Sequence, residues 1–295
     1  MNTPRREERR QSSREVIDLL GRVCVVTGAT RGLGLATSSA LAGMGATLVM
    51  LGRDRDRGER VAQRVREAAA PGAVVSFVPL DLASLASVCA AAAEIAANHH
   101  AIHVLVNNAG VHLRSRADSV DGFEMTWAVN HLGPFLFTNQ LLPQLRAADR
   151  ARIVNVTSRF GMVGRVVPAD IGTARASSGL RAYCDTKLAN MLCTIELAAR
   201  LEGSNITANC IHPGLVSTDL MREWPSWIRR TWEWSLRAPA SGAAPIVRLA
   251  ASNAVDGITG CYFVRQRRAP YPLRARVPGL ARELWARSEE LVGVR

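Results

Sequence analysis

Short apolar runs alternate with longer amphipathic stretches along most of this 295-residue chain. Residues 23–27, 47–51, 74–79, 104–107, 153–157, 207–212 and 261–264 read as strands. Residues 34–44, 55–69, 84–97, 122–146 and 182–201 read as helices. A further helix precedes the last strand, and a terminal helix starts at about residue 280. The alternation predicts a doubly wound α/β fold, a parallel sheet with helices on both faces. No internal repeat and no linker rich in Pro, Gly or Ser divides the chain. The pattern fits a single domain over residues 21–295, preceded by a polar arm at 1–20.

Two segments break the rhythm. Residues 161–179 form an irregular loop between a strand and a helix. Residues 220–237 hold four of the six tryptophans. Within them Trp224, Trp227, Ile228, Thr231 and Trp234 recur at helical spacing, and Pro225 suits a first turn. Such a stripe serves as a helical lid over a substrate site (about 219–237), as a core-docking face, or as a membrane-surface helix. Its place just beyond the sixth strand favours the lid. A pocket walled by Trp224, Trp227 and Trp234 would take a bulky, lipophilic substrate.

The composition is globular, with 48% hydrophobic and 21% charged residues. No apolar run reaches the ~18 residues of a membrane span. The first twenty residues lack the ~7–15-residue apolar core of a secretory signal. The six cysteines contain no CxxC pair, which argues against zinc or a disulfide framework and fits a cytoplasmic protein. His99, His100 and His103 lack a further ligand set and read as an exposed helix-end cluster, so no metal is expected. The net charge of +12 raises nucleic acid, membrane surface or a polyanionic small molecule as partners. It is spread too widely to mark a nucleic-acid interface, and peripheral membrane contact stays open.

Of the 37 basic residues, Lys187 alone is lysine. Tyr183, one of three tyrosines, stands one helical turn before it, so the two share a helix face. The first strand ends in Thr27-Gly28-Ala29-Thr30-Arg31-Gly32-Leu33-Gly34. Glycines between a strand and a helix let the backbone approach a pyrophosphate, which the helix N-terminus then binds. This points to a Rossmann-type nucleotide site.

The TGxxxGxG spacing resembles the short-chain dehydrogenase/reductase family. Further motifs follow in order: Asn107-Asn108-Ala109-Gly110, Asn130 in MTWAVNHLG, Ser158 in RIVNVTS, Tyr183 and Lys187 in YxxxK, and Pro213-Gly214 with Val216 and Thr218. From about residue 21 to 292 the chain is most similar to the retinol dehydrogenase group, which also has a long gap between Ser158 and Tyr183. The resemblance implies an alcohol/carbonyl oxidoreductase with Tyr183 as acid/base. Lys187 would lower the tyrosine pKa and hold the nicotinamide ribose, Ser158 would position the carbonyl, and Asn130 would support a proton relay. The cofactor set it implies is Gly28, Thr30, Arg31, Gly32, Leu33, Gly34, Arg53, Asp81, Leu82, Asn108, Ala109, Gly110, Tyr183, Lys187, Pro213, Gly214, Val216 and Thr218. The family commonly forms homodimers through helices such as 122–146 and 182–201.

An acid at the end of the second strand selects NAD, while arginine suits the 2′-phosphate of NADP. Here Gly52 is followed by Arg53, and Arg31 lies in the glycine loop, so NADP(H) is expected. Asp54 sits one residue too far on. The sequence thus predicts an NADP-dependent reductase of a lipophilic ketone or aldehyde. Close alternatives are a ketoreductase of specialised metabolism and a non-redox member of the family. A distant one is a dinucleotide-sensing or nucleic-acid-binding protein, which would have no need of an activated tyrosine.

Overall fold

The computed structural model describes residues 18–172, 179–214 and 239–294. Eight strands form one sheet in the order β3-β2-β1-β4-β5-β6-β7-β8. They are β1 (Val23–Thr27), β2 (Thr47–Gly52), β3 (Val74–Pro79), β4 (Val104–Asn107), β5 (Ala151–Val156), β6 (Ile206–His212), β7 (Tyr262–Val264) and β8 (Arg267–Ala269). All neighbours pair in parallel except β7 and β8, a hairpin at the sheet edge. The all-parallel expectation missed β8, because RRA carries neither alternation nor β-branched residues.

The helices are α1 (Gly32–Ala42), α2 (Arg55–Glu67), α3 (Leu85–Asn98), α4 (Met125–Trp127), α5 (Gly133–Gln140), α6 (Leu142–Ala147), α7 (Gly179–Arg200), α8 (Pro239–Ala251) and α9 (Leu280–Val292). Side chains of α1, α2 and α8 close one face of the sheet. Those of α3, α5, α6 and α7 close the other. Val25, Val49, Leu105 and Ile153 bury on the second face, whereas Cys24, Val26, Leu48 and Val154 bury on the first. Burial on both sides is why the strands read as continuous apolar runs rather than alternating ones.

The expected long helix over 122–146 is not continuous. Gly122 has φ +80° and lies outside it, and α4 passes through a π-helical turn, Ala128–Leu132, into α5. The π turn carries Asn130, and such insertions recur where a helix must aim a side chain at a site.

The order β3-β2-β1-β4 reverses direction between β1 and β4, the crevice where open α/β sheets bind ligands. Thr27, ending β1, stitches this point: its hydroxyl accepts hydrogen bonds from Asn108 N (3.0 Å) and Ala109 N (3.1 Å). Finally, α9 lies across α5 and α7. Trp285 is 3% exposed and packs edge-on against Phe135, while Arg200 stacks on it 4.7 Å from the ring centroid.

Candidate active site

Gly28 and Gly32 have φ of +66° and +52°, the left-handed region that side chains disfavour. A Cβ on Gly34 would meet Gly28 O at 2.1 Å and Asn108 Nδ2 at 2.5 Å. The turn thus closes tightly against both β1 and the Asn108-Ala109-Gly110 turn. Arg31 precedes α1 without a side-chain cap, which leaves the helix N–H groups facing the crevice. Gly52, at the end of β2, comes within 2.9 Å of Thr30 when given a Cβ. Arg53 follows, exposed. Arg31, Arg57 and Arg60 line a groove there with Thr30 and Gly32. Asp54 caps α2 by accepting from Arg57 N at 3.0 Å. That carboxylate is committed to the helix, as its position one residue past the expected acid suggested. An uncapped helix start behind a cradle that tolerates no side chain, with cations at the β2 corner, fits a dinucleotide.

The remaining cofactor candidates fall along the same edge. Asp81 and Leu82 follow β3; the Asp81 carboxylate accepts from Ala83 N, and Leu82 is buried against Gly133. Asn108 donates to Thr27 O at 2.9 Å, so its side chain braces the crevice. Pro213 and Gly214 follow β6, Gly214 with φ +110°. Val216, Thr218 and the tryptophans Trp224, Trp227 and Trp234 lie outside the described residues.

The four residues of the expected catalytic set converge. Thr157 donates to Lys187 O at 2.8 Å, tying the end of β5 to α7. The 3-10 turn Arg159–Val163 then lies flat on α7: a Cβ on Gly161 would stand 2.9 Å from the Lys187 backbone, and one on Gly164 2.4 Å from Cys184 O. This close approach sets Ser158 beside Tyr183, whose pKa it lowers, while Ser158 Oγ accepts from Phe160 N at 3.3 Å. His112 and Phe160 pack edge-on against the Tyr183 ring, with centroids 5.5 and 5.9 Å away. No spacing rule had singled out Phe160, although it stands two residues past Ser158.

Lys187 Nζ is buried 5.5 Å from the Tyr183 ring centroid and donates to Val156 O at 3.3 Å. Burial pulls the ammonium down to about 8. Burial also pushes the Tyr183 hydroxyl up to about 12, against a smaller downward pull from Ser158. The expectation that Lys187 lowers the tyrosine pKa is therefore corrected for the protein alone: burial raises it, and the downward pull is that of Ser158. At neutral pH Tyr183 holds its proton, the form that delivers one.

Asn130 is fixed by three hydrogen bonds. Its Oδ1 accepts from Val111 N at 2.7 Å, and its Nδ2 donates to Val111 O at 2.9 Å and Thr186 Oγ1 at 3.2 Å. One point above Gly110 is 3.3 Å from both Asn130 Oδ1 and Lys187 Nζ. Behind Asn130 lies a cavity of about 40 Å³ lined by Asn107, His131, Thr138, Asn155 and Asn190 among others. The buried Asn107 Oδ1 has no partner among the described residues. A chamber of this size, whose walls also include Phe135, Leu197 and Trp285, has room for about one to three waters.

His131, which lines this cavity, also reaches α9, with its Nε2 2.9 Å from Ser288 Oγ. The histidine cluster is not uniformly exposed: His103 turns inward and accepts from Val23 N at 3.0 Å. Among the described residues no group of acidic, histidine and cysteine side chains is placed to hold a metal. None of their helices is long and apolar enough to cross a membrane.

Residues 22–229 match the short chain dehydrogenase family. The chain belongs to it. Short-chain dehydrogenases are oxidoreductases of nicotinamide nucleotides, which accords with the crevice and with the Ser158–Tyr183–Lys187 constellation. Among curated members, the chain is 37% identical to retinol dehydrogenase 14 of Mus musculus, covering 98% of this chain and 91% of that protein. It is 40% identical to a polyprenol dehydrogenase of Mus musculus, over 92% of this chain and 84% of that one. Among solved structures, a short chain dehydrogenase from Shigella flexneri complexed with NADP superposes with a TM-score of 0.68 at 25% identity, covering 85% and 99% of the two chains.

Proposed function

We propose that this short-chain dehydrogenase is an NADP(H)-dependent reductase of a lipophilic ketone or aldehyde. The observation that carries the reading is the buried Tyr183, with Lys187 Nζ 5.5 Å from its ring centroid and the turn after Ser158 closed against the same helix. A carbonyl that accepts hydride gathers negative charge on oxygen, and a positioned acid must then give it a proton. Ser158 orients the carbonyl oxygen, Tyr183 supplies the proton, and Lys187 with Asn130 reloads Tyr183. Gly28, Gly32, Gly34 and the start of α1 hold the pyrophosphate, and Lys187 the nicotinamide ribose. Arg31 and Arg53 hold the 2′-phosphate, supported by the diversion of Asp54 to helix capping. The bound nucleotide supplies the hydride.

The lipophilic substrate rests on the similarity to dehydrogenases named for retinol and polyprenol, and on the tryptophans of 219–237 as its lid. Replacing Trp227 and Trp234 by alanine raises KM for a large apolar carbonyl more than for a small one. The deciding experiment is turnover of a ketone and aldehyde panel with NADPH and NADH. NADPH gives the higher kcat/KM in the wild type, and Arg53→Ala erodes that preference. Equal efficiency with both nucleotides overturns the cofactor assignment, and no turnover of any carbonyl overturns the activity.

A further inference from the structure

The rim of the site beyond Ser158 is cationic, and one of its arginines occupies a position that suits glycine. Strands β7 and β8 are joined by Arg265 and Gln266 alone, with Val264 paired to Arg267. Arg265 has φ +55°, the one positive φ among the described residues other than glycine. Two-residue hairpin turns fill such positions with Gly, Asn or Asp, and a strained residue kept in place of glycine is a pointer to function. Its side chain reaches across to the loop after β6: a Cβ on Gly214 would stand 3.3 Å from Arg265 Nε. Its backbone N donates to His212 O at 2.8 Å.

Arg159 approaches the same place from β5, one residue past Ser158. Both guanidiniums bear on His212, and Arg159 also bears on the Tyr262 hydroxyl. Strand alternation puts Cys210, His212 and Tyr262 on the α7 face of the sheet, where Cys210 and Tyr262 pack against Met191. Tyr262 is 2% exposed, yet its hydroxyl has no hydrogen-bond partner among the described residues. A buried hydroxyl is ordinarily paired. Nor does either arginine form an ion pair with a described carboxylate. Two arginines without a described carboxylate partner thus stand at the carboxyl edge of the sheet, on the strands that flank His212, with the Tyr262 hydroxyl one step below them on the α7 face.

We infer that Arg159, Arg265 and the Tyr262 hydroxyl bind an oxyanion, a carboxylate or a phosphate monoester, carried by the substrate whose carbonyl is held at Ser158 and Tyr183. This rests on the carbonyl-reductase reading and narrows its substrate to an acidic lipophile. Planar guanidiniums fork onto either group, and charge-assisted hydrogen bonds are the strong ones.

The test uses the full chain with NADPH and a series of ω-oxo carboxylic acids of increasing length, each beside its methyl ester. A parallel series pairs ω-oxo alkyl phosphates with the corresponding alcohols. At one or more lengths the charged member exceeds its neutral partner in kcat/KM by about tenfold or more, through KM; the series with the larger ratio tells carboxylate from phosphate. Arg265→Gly removes most of that preference while raising the melting temperature, since it relieves the turn. Arg159→Gln lowers the preference as well. Arg268→Gln, a cation on the adjoining strand, leaves the ratio unchanged. Neutral and charged partners turned over equally at every length overturn the inference and leave the reductase reading standing. So does an Arg265→Gly variant that keeps the preference, or one whose loss appears in the KM for NADPH instead. If no aldehyde in either series is reduced, the reductase reading falls and this inference with it.

Discussion

Tyr183 and His131 show how burial dominates the chemistry of single residues here. Removal of the Tyr183 hydroxyl takes away the proposed proton donor without touching the glycine turn. Tyr183→Phe therefore lowers kcat by about 10²-fold or more, the usual worth of a general acid, with NADPH affinity within about threefold by titration of nucleotide fluorescence. Retention of more than a tenth of kcat would assign the acid elsewhere. His131 is fully buried against Trp127 and Ser288, and burial pulls it down to about 4. His212 is lowered to about 4 as well, by burial and by Arg159 and Arg265. A histidine whose folded pKa lies below its unfolded value favours the neutral form. Its contribution is complete above the unfolded value of about 6.5 and is lost as pH falls toward 4. The melting temperature accordingly declines between pH 6.5 and 4, and His131→Gln flattens that decline; equal slopes in the two proteins would refute it. Of the residues in the site, Tyr183 and Lys187 were legible because tyrosine and lysine are rare in this chain. Phe160 was not, because packing on a ring leaves no spacing rule.

At the scale of elements, close contacts between glycine and its neighbours fix how helices sit on the sheet. Gly58 of α2 faces the Phe77 ring of β3, and a Cβ there would fall 2.1 Å from it. Phe77 is buried, so Gly58→Ala forces ring and helix apart. It costs about 1–3 kcal/mol, the usual penalty for overpacking, read as a lower midpoint in urea with an unchanged slope. A change under about 0.5 kcal/mol would mean that the ring moves freely. Strand and helix order was legible from apolar runs, whereas the π turn at Ala128–Leu132 was not. Its apolar spacing continues that of a helix, and only the docking of Asn130 against Val111 and Thr186 requires the extra residue in the turn.

At the scale of the whole molecule, α9 decides which surfaces remain open. The helices expected to meet a second copy, 122–146 and 182–201, are covered by the chain's own last helix. Trp285 and Leu284 are buried there, with Trp285 Nε1 donating to Glu289 at 2.7 Å. With α9 seated there, the expected outcome is that the chain does not dimerise through α5 and α7. Light scattering that finds a dimer, lost on substitution along those two helices, would overturn this. Trp285→Ala leaves a cavity between α5 and α7 and costs about 3–5 kcal/mol, as large-to-small core changes do.

The amino-acid sequence by itself determined the order of strands and helices, the glycine turn and the four residues of the candidate catalytic set. Local spacing encodes a run buried on both faces, a turn without side chains and the Tyr183–Lys187 pair one helical turn apart, while Ser158 and Asn130 came from the resemblance to the family. The tertiary structure decided what depends on contacts between distant segments. It turned Asp54 to capping, closed the 3-10 turn onto α7, raised Tyr183 where a cation had been expected to lower it, laid α9 over the expected interface, and gathered Arg159, Arg265 and Tyr262 from three strand ends. Desolvation and proximity arise only when such segments are brought together, so no spacing along one segment records them.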